Sequence, residues 1–445
     1  MAVLAMSGLA LAAEGTVQKD RRNMRPKLFD VRADDVSKNR VPVLKPWERI
    51  VLDPDYAGAW IVAGDVDGDG KVEIVSARNV DKNDSHYTCS VVVHRLDGTV
   101  LWRWGNPKIG RNKRHHDVAC QIYDWDGDGR NEVVLAAKKA IVELDGATGK
   151  EKRRFAIPKD ASDCIVFANL SGGERASDIL VKTRYTQIWA YDRKGALLWT
   201  IKKPAGYRTA HQPRPIDIDG DGRDEIMAGY AMLNPDGSVR WDLRNSGLSL
   251  GRGHLDCARL FRQGVTPEDS RIVVTLCGDN CIAMLNGNGK VLWSIAGHHF
   301  ESIDIGKVSP DIPGKQIIAD VDHMPVGRAP LWIISEQGEW LGRIMTNYCR
   351  KHLTVDWDGS GTESIVIAQT LAMFDGTGKK IATFDVPWAH RKGTKVIAKG
   401  DMTGDGIPDL ILHTNPANEV CIFRNVQGRR KPDSQVGTGN NFTLY

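Results

Sequence analysis

The stretch WIVAGDVDGDGKVEIVSA at residues 60–77 decides the fold, because its pattern recurs along the chain. It places an apolar strand, the acidic turn D-x-D-G-D-G-x-x-E and a second apolar strand in succession. The same order returns as VACQIYDWDGDGRNEVVLAA at 118–137 and as RPIDIDGDGRDEIMAGY at 214–230. Each copy continues into a hairpin, a third strand, a glycine turn and a fourth strand that often carries tryptophan. A period of roughly 40 to 50 residues predicts the four-stranded blade of a β-propeller.

Weaker copies complete the count at eight blades, with seven possible if one degenerate unit is misread. The third, fifth and sixth units keep the strands and the glycine turn but lack the acidic turn, as in NLSGGERASD at 169–178. The seventh and eighth carry DWDGSGTES at 356–364 and DMTGDGIPD at 401–409. The eighth unit ends at a third strand near 419–423, and WERIVL at 47–52 reads as a fourth strand with no blade before it. We therefore predict that 47–52 completes the last blade and closes the all-β ring.

The chain divides into a signal-peptide-like segment at 1–13, an N-terminal linker at 14–44 and one propeller domain at 45–445. Residues 1–13 are apolar and end in small residues, which predicts export and a secreted or periplasmic protein; the alternative is an apolar tail. No segment has the length of a membrane span. The eight cysteines are scattered and do not form a disulfide framework. We expect a monomer.

The net charge limits the classes of partner that the sequence predicts. Among 445 residues the net charge is only +4, and no basic run with interleaved aromatics indicates nucleic acid. A weakly positive protein permits an anionic polysaccharide as its partner without requiring one.

The acidic turns predict structural calcium. Carboxylates at alternate positions of a glycine-rich turn point inward, where a hard cation with six to eight oxygen ligands can sit. Strands flank these turns, unlike the helices of an EF-hand, so the sites would fix turns and not sense calcium. The predicted ligands are Asp65, Asp67, Asp69, Glu73, Asp124, Asp126, Asp128, Glu132, Asp217, Asp219, Asp221 and Glu225, with weaker sites at Asp356, Asp358, Asp401 and Asp405.

Blade topology separates the acidic turns from the histidines. The turns between strands one and two and between strands three and four share one face, and the hairpin and the crossing to the next blade share the other. Of the twelve histidines, only His94 falls outside the second set. A mouth lined with His, Tyr and Arg is the natural candidate site. The eleven histidines on this side are His86, His115, His116, His211, His254, His298, His299, His323, His352, His390 and His413.

Two sub-sites within this mouth carry chemistry. The first brings blades four and five together, where imidazole and thiol are ligand types that favour zinc; buried thiols packed as small apolar groups are the alternative, and Cys349 with His352 is an equally plausible pair. Its candidate metal ligands are His211, His254, Asp256, Cys257, Cys277 and Cys281. The second holds candidate catalytic residues entering blades two to four, namely His115, His116, Arg184, Tyr185, Tyr207 and Arg208. Candidate substrate-binding residues on the same side are Arg252, Tyr348, Arg350 and Arg391.

These residue types suit β-elimination beside a uronate. A base takes the C5 proton, a cation neutralises the carboxylate, and an acid protonates the leaving oxygen. His and Tyr can transfer protons, while Arg binds a carboxylate through two parallel hydrogen bonds. A hydrolase would favour paired carboxylates, in which this face is poor.

The chain resembles the propeller polysaccharide lyases, notably the rhamnogalacturonan lyases and more distantly the ulvan lyases, with FG-GAP-type repeats. The specific part is AHQPRPIDIDGDGRDEIMAGYAM at 210–232 followed by GRGHLDCARL at 251–260. The resemblance implies that His211, His254 and Asp256 hold an active-site calcium. Where a further acidic ligand is expected, Leu276-Cys277-Gly278 stands instead, which favours zinc or no metal. The ulvan lyase resemblance implies two histidines, a tyrosine and an arginine in catalysis.

Three functions remain open from the sequence: a lyase cleaving beside a uronate, a propeller glycosidase removing rhamnose linked to glucuronate, and a non-catalytic glycan- or protein-binding propeller. A binding module is expected to show aromatic platforms. The tryptophans of the fourth strands, Trp102, Trp199, Trp241 and Trp293, read as core instead.

Overall fold

The computed structural model describes residues 17–20, 24–34, 41–82, 85–113, 120–251, 253–325, 328–431 and 436–438, and every structural statement below concerns these. The signal-peptide-like segment and the candidates Arg252, His115 and His116 lie outside them.

The described chain folds into eight small sheets, one for each predicted repeat. The N-terminal strands are β1 (Val17–Asp20), β2 (Phe29–Arg32), β3 (Val43–Leu44) and β4 (Glu48–Val51). Blade 1 contains β5 (Trp60–Gly64), β6 (Glu73–Lys82), β7 (Ser85–Arg95) and β8 (Val100–Gly105). Blade 2 contains β9 (Cys120–Tyr123), β10 (Glu132–Ala137), β11 (Ala140–Asp145) and β12 (Glu151–Ala156). Blade 3 contains β13 (Ile165–Ala168), β14 (Asp178–Lys182), β15 (Gln187–Tyr191) and β16 (Leu197–Lys202). Blade 4 contains β17 (Thr209–Ile216), β18 (Glu225–Gly229), β19 (Ala231–Leu233) and β20 (Val239–Asp242).

The second half repeats the plan. Blade 5 contains β21 (Cys257–Arg262), β22 (Arg271–Leu276), β23 (Cys281–Asn286) and β24 (Val291–Ala296). Blade 6 contains β25 (Phe300–Gly306), β26 (Gln316–Val321), β27 (Ala329–Ile334) and β28 (Trp340–Thr346). Blade 7 contains β29 (His352–Val355), β30 (Ser364–Ile367), β31 (Ala372–Phe374) and β32 (Lys380–Phe384). Blade 8 contains β33 (Thr394–Gly400), β34 (Asp409–Asn415) and β35 (Glu419–Phe423). Short 3-10 turns occur at Pro107–Ile109, Pro204–Gly206, Cys277–Asp279 and Ala368–Thr370.

The ring closes as predicted. Strand β4 pairs antiparallel with β35, with Ile50 opposite Val420, and so becomes the fourth strand of blade 8. The N-terminal strand β4 and the last strands of the chain thus share a sheet, which removes the open edge that a linear array of blades would leave. The eight-bladed propeller is therefore confirmed.

Parts of the segment interpreted as a linker lie against the outer edge of the ring. Strands β1, β2 and β3 pair in parallel with β24, β28 and β32, so that blades 5, 6 and 7 each gain a fifth strand. The chain then enters blade 8 through β4. This path covers three strand edges that would otherwise present unpaired backbone groups.

The core consists of apolar clusters between neighbouring blades, and the described residues form one for each of the eight junctions. Strands inside a blade, such as β10 and β14, are buried on both faces because a blade lies on either side. Outer strands such as β12 and β16 alternate between more and less exposed residues. The continuous apolar runs and the alternating ones in the sequence therefore mark different layers of one blade.

Tryptophans in four of the fourth strands pack against the following blade. The Trp199 indole N–H donates to Pro235 O at 2.8 Å, and its ring packs beneath the turn glycine Gly237. A Cβ at Gly237 would lie 2.6 Å from that ring, and the φ of +83° also requires glycine. Trp102, Trp241 and Trp293 repeat the contact with the following blade. Their assignment to the core is thus confirmed by their packing.

The blades place the acidic turns and the candidate site residues at opposite ends. The acidic turns connect β5 to β6, β9 to β10 and β17 to β18 at one end, whereas Tyr185, His211 and His254 lie at the other. None of the described helices is long and apolar enough to cross a membrane.

Candidate functional site

The strongest cluster of predicted residues joins blades 3, 4 and 5. Tyr185 lies in the turn between β14 and β15, His211 in β17, and His254 and Asp256 in the connection that leads into β21. The His211 backbone N–H donates to Leu255 O at 2.9 Å, which ties the first strand of blade 4 to this connection. Side chains distant in sequence therefore meet because of the crossings between blades.

Two imidazoles converge on one buried carboxylate. His254 Nε2 lies 3.1 Å from Asp256 Oδ1, and His211 Nε2 lies 3.5 Å from the same atom. The Tyr185 hydroxyl lies 3.4 Å from His211 Nε2. Asp256 is 1% exposed, yet neither of its oxygens has an aligned hydrogen-bond donor among the described residues. A buried carboxylate in that state is costly unless a cation is bound beside it.

The connection bearing His254 is held by its own supports. The Tyr230 hydroxyl donates to Asp279 Oδ2 at 2.7 Å and lies 3.3 Å from His254 O, while the Gly251 N–H donates to Asp279 Oδ1 at 2.6 Å. A Cβ on Gly278 would lie 2.2 Å from Gly253 Cα, so only glycine permits this backbone approach. The path of this connection is therefore supported by contacts outside the imidazole ring.

The pKa of Asp256 reflects its burial and its two imidazole neighbours. Burial would raise the pKa of Asp256, but the contacts with His254 and the charge of His211 outweigh it and leave that pKa lowered. The Cys277 Sγ lies 3.3 Å from His254 Nε2, and burial together with the negative charge of Asp256 raises the pKa of this thiol far above its usual value.

Two guanidinium groups flank the same tyrosine. Arg184 lies 5.1 Å and Arg208 lies 5.3 Å from the centre of the Tyr185 ring. Arg208 is exposed, whereas Arg184 and Tyr185 are half-buried. Tyr207 packs on Tyr230 with ring centres 5.2 Å apart, and burial raises its pKa. The candidate catalytic set is thus partly assembled, with Arg184, Tyr185 and Arg208 adjoining the His211–His254–Asp256 cluster.

A second cluster adjoins the first and was missed as a unit from the sequence. His299 Nε2 lies 3.1 Å from Glu301 Oε1, which also contacts the buried guanidinium of Arg350. Burial raises the pKa of Glu301 to about 7. His323, at φ +55°, stacks on His299 with ring centres 4.1 Å apart. Ligand atoms of Asp256, Cys277 and His299 lie within 4.8 Å of one another, so the two clusters are contiguous. The sequence feature that could have indicated this cluster is the run His298-His299-Phe300-Glu301.

A buried ion-pair network supports the turn that carries Arg184 and Tyr185. Lys182 pairs with Asp163, and its ammonium also donates to Arg184 O at 3.0 Å. Asp163 Oδ1 in turn lies 2.5 Å from His86 Nδ1 of blade 1. Opposing charges hold the pKa of Asp163 well below its usual range in spite of burial. Sequence reasoning placed His86 at this mouth but gave no reason to pair it with Lys182.

Most of the remaining candidates lie outside these clusters, and Arg350 belongs to the second one. Cys257 packs in the core between blades 5 and 6, and the Cys281 thiol donates to Ile282 O at 3.5 Å. Arg350 is buried against Glu301 and Asp322, Tyr348 is half-buried beside it, and Arg391 is exposed before blade 8. His352 and His413 contact backbone carbonyls. Only part of the predicted mouth therefore forms one constellation among the described residues.

The acidic turns at the opposite end form well-ordered loops. Asp65 Oδ1 and Oδ2 accept from the N–H groups of Gly68 and Gly70, and Asp124 and Asp217 repeat both bonds. Glu73 accepts from the Val66 N–H at 3.0 Å, and burial together with the nearby aspartates raises its pKa to about 7. Oxygens of Asp65, Asp67 and Glu73 lie within 4.8 Å of one another, a spacing that could accommodate a metal ion.

The His211–His254–Asp256 cluster could likewise hold a metal ion. Its two imidazole nitrogens and one carboxylate oxygen lie within 4.8 Å of one another. The unsatisfied oxygens of Asp256 supply the negative charge that a cation would balance. The donor set of two nitrogens and an oxygen fits a divalent ion.

Comparison with known proteins agrees with this architecture. Residues 40–155 match the family model described as rhamnogalacturonan lyase family 11, C-terminal domain. The rhamnogalacturonan endolyase YesW of Bacillus subtilis is 24% identical over 81% of this chain and 66% of its own length. The rhamnogalacturonan exolyase YesX of the same organism is 27% identical over 92% of this chain and 78% of its own. The chain is similar to these rhamnogalacturonan lyases.

Structural likeness extends beyond this lyase family. The crystal structure of YesW superposes with a TM-score of 0.59 at 20% identity, covering 87% of this chain and 76% of that one. The Vibrio cholerae biofilm matrix protein Bap1 superposes with a TM-score of 0.60 at 13% identity, covering 90% of this chain and 94% of its own. The fold alone therefore does not separate the rhamnogalacturonan lyases from other propellers, and function must be argued from the site.

Proposed function

We propose that this protein is a polysaccharide lyase that cleaves a rhamnogalacturonan-like chain beside a uronate by β-elimination. The observation that carries the proposal is the convergence of Tyr185, His211, His254 and Asp256 at one mouth, with Arg184 and Arg208 against the same tyrosine. The relatives named as rhamnogalacturonan endolyase and exolyase support the substrate class.

Each group in the cluster has a role in this chemistry. Arg184 and Arg208 bind the uronate carboxylate, whose negative charge must be neutralised before C5 loses its proton. The Tyr185 ring contacts both of these cations and its hydroxyl lies 3.4 Å from His211 Nε2, where it can exchange a proton with the reacting sugar. The Lys182–Asp163 pair keeps the turn that carries Arg184 and Tyr185 in place.

The His211–His254–Asp256 cluster is proposed to hold one divalent cation. When bound, such an ion neutralises the uronate carboxylate and makes the C5 proton more acidic. Two imidazoles with a carboxylate are a ligand set of zinc, whereas calcium prefers oxygen alone. Metal analysis of purified protein should find zinc that is lost from the His254→Ala variant. At the opposite end we propose structural calcium, with the blade 1 turn at Asp65, Asp67, Asp69 and Glu73 as its first site.

The deciding experiment is incubation with rhamnogalacturonan while ultraviolet absorbance is followed. A lyase leaves a carbon–carbon double bond in the new terminal uronate, and absorbance rises in step with new reducing ends. Reducing ends without absorbance would identify a glycosidase and contradict β-elimination. Binding without turnover on rhamnogalacturonan and other uronate polymers would leave a glycan-binding propeller, a role that the fold shared with Bap1 allows.

A further inference from the structure

The repeats can be aligned on the turn glycine between the third and fourth strands. One position in this alignment then distinguishes blades 2 and 4 from the others. Three residues after Gly149 in blade 2 stands Lys152, and three after Gly237 in blade 4 stands Arg240. The same position holds Leu101 in blade 1, Leu198 in blade 3, Leu292 in blade 5 and Ile381 in blade 7. A basic residue therefore occurs here in two blades, and both carry a complete acidic turn.

Both basic side chains reach the same two carboxylates of their own turn. Lys152 Nζ lies 2.7 Å from Asp126 Oδ2 and 2.6 Å from Glu132 Oε1. Arg240 Nη1 lies 2.8 Å from Asp219 Oδ2 and 2.8 Å from Glu225 Oε1. These are the third and ninth positions of D-x-D-G-D-G-x-x-E, two of the positions whose oxygens a calcium ion would need. One nitrogen cation thus bridges the turn in each blade.

Blade 1 has the same acidic turn without this bridge. Arg95, from the end of β7, pairs with Asp67 at 2.9 Å, but no ion pair of the described residues reaches Glu73. Leu101 occupies the position of Lys152 and cannot supply a charge. The three turns are thus alike in their carboxylates and differ in whether one basic side chain pairs with both the third and the ninth position.

We propose that the Lys152 ammonium and the Arg240 guanidinium occupy the cation position of the acidic turns in blades 2 and 4, so that these two turns bind no calcium. Asp124, Asp126 and Glu132 do bring their oxygens within 4.8 Å of one another, as calcium would require. Two of those three carboxylates already pair with Lys152, however, and a calcium ion placed among them would have to displace the ammonium against like-charge repulsion. Arg175, 3.2 Å from Asp124, and Arg193, 3.5 Å from Asp126, add further positive charge to blade 2.

The test counts calcium ions bound per chain by equilibrium dialysis with the full-length protein. Lys152→Leu gives blade 2 the residue of blade 1 and should add one bound calcium per chain relative to wild type. Arg240→Leu should do the same in blade 4, and the double variant should add two. Arg154→Leu is the matched control, because Arg154 lies on the same strand but pairs with Glu151 at the surface. It should leave the count unchanged.

A second measurement does not require a variant to gain a calcium site. Asp126→Asn in the otherwise wild-type chain should leave the number of bound calcium ions unchanged, because Lys152 already fills that turn. Loss of one calcium in Asp126→Asn, or no gain in Lys152→Leu, would overturn the proposal. If Lys152→Leu does not fold, the Asp126→Asn count still decides. Calcium counts do not depend on turnover, so these results stand apart from the success or failure of the lyase assay.

Discussion

The two ends of the propeller use charged residues in opposite ways. At the acidic end, the carboxylates of a turn, their backbone partners and, in two blades, the bridging cation come from one repeat, as Lys152 and Glu132 illustrate. At the histidine end, the interacting groups come from different blades, and Asp256 is buried without an aligned donor. Charge that is balanced within a repeat stabilises that repeat. A buried carboxylate on which imidazoles from different blades converge, such as Asp256, is available to bind a ligand.

This comparison predicts that variants at the two ends fall into separate classes. Changes at the histidine end should abolish turnover with little change in unfolding temperature. Changes at the acidic end should shift stability or calcium dependence and leave turnover nearly intact. A variant that moved both properties equally would weaken the distinction.

The largest effect is expected from His254→Ala. Removing this imidazole takes away the contact with Asp256 Oδ1 and one ligand of the proposed cation. Loss of one preorganised electrostatic group costs on the order of 10³-fold in turnover. The connection should keep its path and the unfolding temperature should change little, because backbone contacts hold it at Leu255 and at Gly253 independently of the ring. His390→Ala, an exposed histidine before blade 8, is the matched control and should retain activity.

A loss of activity in His254→Ala that accompanies an equal fall in stability would assign His254 a structural role. Retained activity would remove the His211–His254–Asp256 cluster from the mechanism altogether.

Tyr185→Phe should have the next largest effect. The substitution deletes the hydroxyl 3.4 Å from His211 Nε2 and keeps the ring that contacts Arg184 and Arg208. A positioned acid–base group contributes roughly 10²-fold or more, so the initial rate should fall by about that factor with KM little changed. Tyr123→Phe removes a hydroxyl at the acidic end, where it donates to Ala176 O, and should leave the rate unchanged. Equal rates for the two variants would exclude Tyr185 as a proton-transfer group.

The sequence predicted the scaffold more completely than it predicted the site. The repeat and the unpaired strand at 47–52 were enough to predict eight blades and their closure, because each blade obeys local alternation and turn chemistry. The motifs at 210–232 and 251–260 also brought His211, His254 and Asp256 together correctly. The Lys182–Asp163–His86 network and the Glu301–Arg350 pair could not be predicted in the same way. The paired residues lie as far as 77 residues apart in the sequence. Which of these side chains meet depends on the three-dimensional course of each loop.

The acidic turns show a related limit of prediction from sequence. Their consensus predicts calcium in every copy, and only the fourth strand reveals that Lys152 and Arg240 reach into two of them. The signal was present as a single position after the turn glycine. It could be interpreted only once the register of that strand against the turn was known.

Arg208→Lys should produce a smaller effect, in substrate affinity. Lysine keeps the charge but loses the planar pair of donors that matches a carboxylate, so KM should rise by about 10-fold with kcat less affected. Arg208→Ala should raise KM further, and esterifying the uronates of the polymer should erase the difference among wild type, Lys and Ala. The same KM series on acidic and esterified substrate would show that Arg208 does not bind the carboxylate. Arg154→Ala, at the surface of blade 2, controls for loss of positive charge.

The smallest expected effect is a pH-dependent change in stability at Glu73. Its pKa is raised to about 7 from an ordinary value of 4.5, chiefly by burial and then by the charges of the neighbouring aspartates. A raised carboxyl contributes stability that is fully present below pH 4.5 and is lost as the pH rises through about 7. In chelator, wild type should therefore lose stability relative to Glu73→Gln across that window, by a few degrees in unfolding temperature. Added calcium should recover the loss in wild type but not in the variant. Glu132→Gln in blade 2 should instead lose the Lys152 pair and show no calcium response, and a response like that of Glu73 there would break the contrast between the two turns.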